Sequence, residues 1–139
     1  GEHFDTLLYF DVLEHIEDPT AELQRAFDLL HSGGHLIIVV PAFQFLYSPF
    51  DRAIGHHRRY TRTMLRSQLP AGLTIERMQY MDSIGLLLSL GNKIALRKAA
   101  PTMGQITFWD RNIIPLSRMI DKLVLRSFGR SLIAVVRKP

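Results

Sequence analysis

The sequence predicts an α/β domain that begins with two strands joined by one crossover helix. Three observations before Pro41 carry that expectation. An apolar run at Thr6–Phe10 ends on Asp11, a helical face repeats at Leu23, Ala26, Phe27 and Leu30, and an unbroken aliphatic run spans Leu36–Val40. A strand, a helix and a second strand in this order form a right-handed parallel unit. In open sheets of this kind, ligands bind at the carboxyl ends of the strands. The first such end carries Asp11, Glu14 and His15, so chemistry is expected there.

The local signals agree. Asp18 is a good N-cap, and Pro19 suits the first helical position. Gly33 and Gly34 follow the last periodic residue, as a helix C-terminus requires. The Leu36–Val40 run lacks alternation, which predicts a strand covered on both faces. Ala42 to Tyr60 is a long connection rich in aromatic, proline and basic residues, and loops beyond about 12 residues are usually functional. Thr61 is placed to cap a helix running to about Leu69, with Pro70, Ala71 and Gly72 as its breaker. Leu73–Met81 reads as a strand whose alternation slips between Ile75 and Met78, predicting a bulge near Glu76 and Arg77. A helix is expected from Ser83 to Lys98, then a break from Pro101 to Gly104. Ile113, Leu116, Ile120, Leu123 and Val124 mark the apolar face of another helix ending near Gly129, and Leu132–Val136 is a last buried strand.

Composition narrows the function classes. At 139 residues, 47% of them hydrophobic, the chain suits one folded domain. With no cysteine, disulfides and thiolate metal sites are excluded, and a reducing cytoplasm is the expected location. Seventeen basic against thirteen acidic residues give a net charge of +4. That excess suits anionic substrates or an anionic membrane surface and is too small to predict nucleic-acid binding. The longest apolar stretch, Ile84–Leu90, is far shorter than the roughly 18 residues a membrane span needs, so no transmembrane segment is expected.

The stretch from Phe4 through Pro19, reading FDxxxxxDVLEHIxDP, resembles class I S-adenosylmethionine-dependent methyltransferases. So do the Ser32-Gly33-Gly34 turn before a strand and the Val40-Pro41 after it. Leu46 through Thr61 and the closing Arg137-Lys138-Pro139 are similar to a bacterial subgroup often found alongside glycosyltransferases. The resemblance covers nearly the whole chain and matches the second half of that domain, from its fourth strand onward. It implies the C-terminal half of a Rossmann-like sheet, in the order first, second, fourth, third, mostly parallel with an antiparallel last strand. A helical insertion at 83–128 would precede that strand within a single partial domain, 1–139. The family holds its cofactor chiefly through a glycine-rich loop, and no G-x-G-x-x-G occurs here. The chain is therefore read as the distal portion of a longer enzyme, a fragment inactive alone, whose partner is the N-terminal half of the domain.

The resemblance also assigns roles. S-adenosylmethionine is the implied cofactor of the intact enzyme, with Asp11, Val12 and Leu13 lining its sulfonium and methionine end. The plainer role for Glu14 and His15 is to stabilise the turn before a helix N-terminus. Some relatives, among them quinone and RNA-end methyltransferases, bind magnesium or manganese through a carboxylate, two residues, Glu, then His. Asp11, Glu14 and His15 match that spacing and are candidate metal ligands. In Gly55-His56-His57-Arg58-Arg59-Tyr60, a histidine is suited to take a proton from an acceptor, making His56 and His57 the catalytic candidates. Arg58 and Arg59 can grip a phosphate or carboxylate; alternatively one of them pins the loop to Asp51 or Glu14. Tyr47 and Tyr60 either line the substrate pocket or pack. Phe108 and Trp109 either anchor an apolar acceptor or membrane face, or pack in the core.

The acceptor is then a small molecule, a saccharide or a lipid-linked group. The competing class is a non-catalytic half-domain acting as a binding or dimerisation module. An apolar strand at Thr6–Phe10 placed on a sheet edge invites pairing, so a homo-oligomer through residues 6–10 is expected.

Overall fold

In the computed structural model, which describes residues 3–95 and 102–139, ten helices and strands are present; eight follow the predicted order, and two short helices, one within the Ala42–Tyr60 connection and one after Thr102, are additional. They are β1 (Phe4–Phe10), α1 (Pro19–Leu29), β2 (Leu30–Pro41), α2 (Pro49–Ala53), α3 (Arg62–Gln68), β3 (Thr74–Met81), α4 (Ser83–Ala95), α5 (Met103–Phe108), α6 (Ile114–Leu123) and β4 (Ser131–Arg137). The sheet order is β1-β2-β4-β3, with β1 parallel to β2 and β4 antiparallel to both its neighbours. The expected bulge in β3 falls between Ile75 and Arg77.

The caps act where the sequence places them. Asp18 accepts from Ala21 N at 3.1 Å, and Thr61 accepts from Met64 N at 3.2 Å. At its far end α1 passes directly into β2. The expected Gly33-Gly34 turn is instead a bulge inside that strand, because Phe4 pairs with Leu30 while Thr6 pairs with His35. Gly33 sits at φ +82°, and a Cβ on Gly34 would press on His31 O at 2.9 Å. Lys138 closes the junction, its ammonium donating to Phe27 O and Leu30 O at 2.8 Å. A cation there satisfies carbonyls that a helix end leaves unpaired.

Leu36, Ile38 and Val40 of β2 register with Val136, Ala134 and Leu132 of β4, and all six are buried. Leu23 and Ala26 of α1 and Leu65 of α3 are buried in the same core. The opposite sheet face is only half covered. β2 is therefore buried on one side rather than both, and Leu8 and Phe10 of the edge strand β1 stand 56% and 54% exposed.

The helical segment before β4 departs from expectation in two places. Thr102 and Gln105 cap each other at the start of α5, so Gly104 is helical where a break was predicted; Pro101 and the residues to Lys98 lie outside the described ones. A π-helical turn at Trp109–Ile113 then leads into α6. The face of α6 that points inward carries Ser117 and Asp121, while Leu116 and Leu123, expected in the core, are exposed. The physical reason is a set of hydrogen bonds from these two polar side chains to the start of α4.

Candidate active site

Two connections at the carboxyl ends of β1 and β2 build one site. The first is the turn Asp11–His15, in which Asp11 takes a left-handed conformation (φ 50°) and a single 3-10 turn follows at Leu13–His15. The second is the Ala42–Tyr60 loop, closed at its neck by Phe43 N donating to Tyr60 O and Tyr60 N to Pro41 O, both at 2.8 Å. The two are tied together. Tyr60, fully buried, donates its hydroxyl to Leu13 O at 3.2 Å, and His57 N donates to Glu14 O at 2.7 Å.

Asp51 organises the loop. It forms a capping box with Ser48 at the start of α2, accepting from Ser48 N and Oγ at 2.8 Å. Arg59 donates to it through Nε at 3.0 Å and a terminal nitrogen at 3.1 Å, and the His56 Nδ1 lies 2.9 Å from its Oδ1. Burial alone would raise this carboxyl. The hydrogen bonds from Ser48 and Arg59 and the guanidinium charge outweigh it and hold Asp51 below the usual carboxylate range.

Glu14 is the opposite case. Its side chain is fully buried, and neither carboxylate oxygen has a hydrogen-bond partner among the described residues. Its Oε1 faces His56 Nε2 at 3.8 Å. Burial pushes the carboxyl up to about 7, and the charge of Asp11 acts in the same direction. His15 completes the group, its ring edge-on to His56 at 4.6 Å between centroids.

These residues line a cavity of about 1360 Å³ bounded on the other side by α4, α5 and the π-helical turn. Asp11, Glu14, His15, Asp51, His56 and Arg59 form its polar wall; Phe50, Phe108 and Trp109 are apolar. Arg130 also reaches the cavity, its guanidinium 5.1 Å from the Trp109 ring centroid.

The structure sorts the candidates. Asp11 and His56 lie on the cavity. His57 is exposed and absent from its lining, as is Val12, and the Leu13 side chain is in the core. Both arginines brace the loop: Arg59 against Asp51, and Arg58 by donating to Ile16 O at 2.7 Å and Glu17 O at 3.0 Å. Tyr47 donates to His56 O at 2.6 Å, so both tyrosines also fix backbone. The candidate ligand atoms that come within 4.8 Å of one another belong to Glu14, His15 and His56, with Asp11 outside the set. Asp51 was read only as a partner for one of the arginines, which Arg59 proves to be. The Ser48-Pro49-x-Asp51 capping pattern signalled its place at the start of α2, but its bond to His56 and the arrival of Arg130 in the cavity had no signal.

The fold has known counterparts. A protein of Bacillus halodurans assigned as a methyltransferase aligns with TM-score 0.57 at 18% identity, over 99% of this chain and 65% of its own. The 4+2 cyclase SpnF aligns with TM-score 0.56 at 18% identity, over 99% of this chain and 50% of that one. Phosphoethanolamine N-methyltransferase 2 of Haemonchus contortus, solved with S-adenosyl-L-methionine, aligns with TM-score 0.53 at 13% identity, over 98% of this chain and 33% of its own. The chain thus spans between a third and two thirds of each counterpart's length. No curated protein matches the sequence. Residues 1–86, more than half of the chain, match the family Methyltransf_23, a methyltransferase domain, and the protein belongs to that family.

Proposed function

We propose that the protein serves methyl transfer from S-adenosylmethionine to a small-molecule, saccharide or lipid-linked acceptor, with His56 as the base. The observation that carries this reading is the line Asp51–His56–Glu14 on the cavity wall. The His56 Nδ1 lies 2.9 Å from Asp51 and its Nε2 3.8 Å from Glu14. The donor set suits a cationic methyl donor, since Asp11 and Glu14 present carboxyl groups beside apolar Phe50, Phe108 and Trp109; Asp11 is the residue that would hold it. When bound, that cofactor supplies an electrophilic methyl group.

The rest is the work of the chain. Asp51 accepts the Nδ1 proton and so leaves Nε2 as the basic nitrogen. As an acceptor hydroxyl or amine reacts, Nε2 takes its proton and Asp51 stabilises the imidazolium. Glu14, with a proton affinity near neutrality, is next in line to hold that proton. In the intact enzyme His56→Ala is expected to lower turnover roughly 10²-fold; unchanged turnover would assign the ring to structure. Because no G-x-G-x-x-G is present, this chain alone is expected to bind S-adenosylmethionine too weakly for catalysis, which calorimetry reads directly.

A second reading adds a divalent ion. Glu14, His15 and His56 can offer one carboxylate and two imidazoles, and the carboxylate has no hydrogen-bond partner among the described residues. His56 would keep Asp51 behind it, as metal-bound histidines usually do. Manganese titrated into wild type and Glu14→Ala separates the readings: heat from the wild type alone supports the ion, and two flat traces end it. A cytoplasmic location belongs to the same proposal, as does a homo-oligomer through the β1 edge, which the exposure of Leu8 and Phe10 supports. Sedimentation of Leu8→Lys against wild type tests the oligomer. A dimeric chain that neither binds S-adenosylmethionine nor methylates would favour the non-catalytic half-domain.

A further inference from the structure

α6 is pinned by polar side chains and leaves part of its apolar arc uncovered. Beside the half-buried Ile120 and Val124, two of its inward side chains are polar: Asp121 accepts from Asp82 N at 2.8 Å and Ser83 N at 2.9 Å, while Ser117 accepts from Ile84 N at 3.0 Å and donates to the Asp82 carboxylate at 2.7 Å. Anchored this way, the helix turns Leu116, Met119 and Leu123 outward at i, i+3 and i+7, exposed by 47%, 69% and 81%. Leu125, just past its end, is exposed by 84%. A surface helix ordinarily keeps such residues covered.

The charge beside this stripe has one sign. Arg111, Arg118 and Lys122 fall on the adjoining helical row, and Arg126 follows. The acids of residues 102–128 are Asp110 and the inward, buried Asp121. The helix also overhangs a recess of about 830 Å³ beside the ends of β3 and β4, with Met81, Ile114, Met119 and Leu123 among its apolar walls and Arg118 and Lys122 at its rim.

We propose that this face of the protein docks on an anionic lipid surface, with α6 lying in the interface plane. An apolar row flanked by cations matches that partner: the row enters the acyl boundary while the cations meet the headgroups. Among the described residues no helix is long and apolar enough to cross a membrane, so attachment is to the surface.

Flotation of the full chain with vesicles of phosphatidylcholine, with and without phosphatidylglycerol, tests this. Binding is expected only with the anionic lipid and is expected to fall as salt rises. Arg118→Gln with Lys122→Gln should weaken it roughly 25-fold, at about 1 kcal/mol per cation. Met119→Ser with Leu123→Ser should weaken it by about tenfold or more. Circular dichroism shows that the variants remain folded, which their exposure favours. Leu8→Gln, on the other apolar patch, should leave binding unchanged. No flotation of wild type on either vesicle overturns the proposal, as does flotation insensitive to both α6 pairs or lost in Leu8→Gln. So does a dimer by sedimentation that the Met119 and Leu123 changes abolish, because α6 would then face a second copy.

Discussion

Two carboxylates on one cavity wall, equally buried, behave in opposite ways. Asp51 is 1% exposed and Glu14 is fully buried, yet the first is held ionised and the second is pushed toward the neutral form. Partners make the difference. The Ala42–Tyr60 loop folds back so that Ser48, His56 and Arg59 all converge on Asp51. The turn after β1 brings no donor to Glu14. Burial sets how much is at stake for a charge, and hydrogen bonding decides the outcome. His56 sits between them, oriented by one and facing the other, which is what a proton-relaying ring needs.

The comparison breaks most visibly at Asp51. Asp51→Ala leaves the Arg59 guanidinium, 8% exposed, without its counter-charge. Losing one member of a buried pair costs about 3–5 kcal/mol, so urea unfolding at pH 7 should show a loss of about that size. A loss below about 1 kcal/mol would mean that water screens the pair. The native stabilisation from this group is present at neutral pH and is lost as pH falls through its lowered folded value.

Glu14 should show the reverse slope. Its folded value near 7 exceeds the unfolded reference of 4.5, so in that interval the native state alone holds the proton. Its contribution is full below the unfolded value and vanishes as pH rises through about 7. The loss amounts to at most about 3 kcal/mol. Glu14→Gln keeps the shape and removes the ionisation. In chelator, the variant minus wild-type stability difference should therefore grow from pH 5 to pH 8. A difference independent of pH would show that Glu14 is ionised throughout.

Much of the frame was legible because it rests on local signals. Asp18-Pro19, Thr61 and the phase slip at Ile75–Met78 each dictate structure within a few residues, and the parallel crossover follows from strand–helix–strand order. The start of β2 was not, since only the pairing with β1 draws Leu30 into the sheet past the glycine bulge. Nor was the outward turn of Leu116 and Leu123 on α6. Periodicity finds an apolar stripe but not which side faces the core, and here Ser117 and Asp121 settle that through bonds to residues more than thirty positions away. At the site, residue types were readable and their pairing was not. Glu14 was read as a turn-stabilising residue or a metal ligand, and its burial, which depends on the loop from Ala42 to Tyr60 closing over it, had no signal.

The finest probe of the contrast is the hydroxyl of Tyr47. It donates to His56 O at 2.6 Å and so fixes the backbone from which the imidazole reaches toward both carboxylates. Tyr47→Phe removes that donor while keeping the ring, and a typical intramolecular hydrogen bond is worth about 1 kcal/mol. Stability should therefore fall by about that amount, well short of the Asp51 loss. If the tyrosine positions His56 rather than merely packing, the NMR resonances of the His56 ring should also move in Tyr47→Phe, because a displaced ring meets Asp51 and Glu14 differently. A stability loss of the expected size with unmoved His56 ring resonances would leave Asp51 alone as the residue that orients the proposed base.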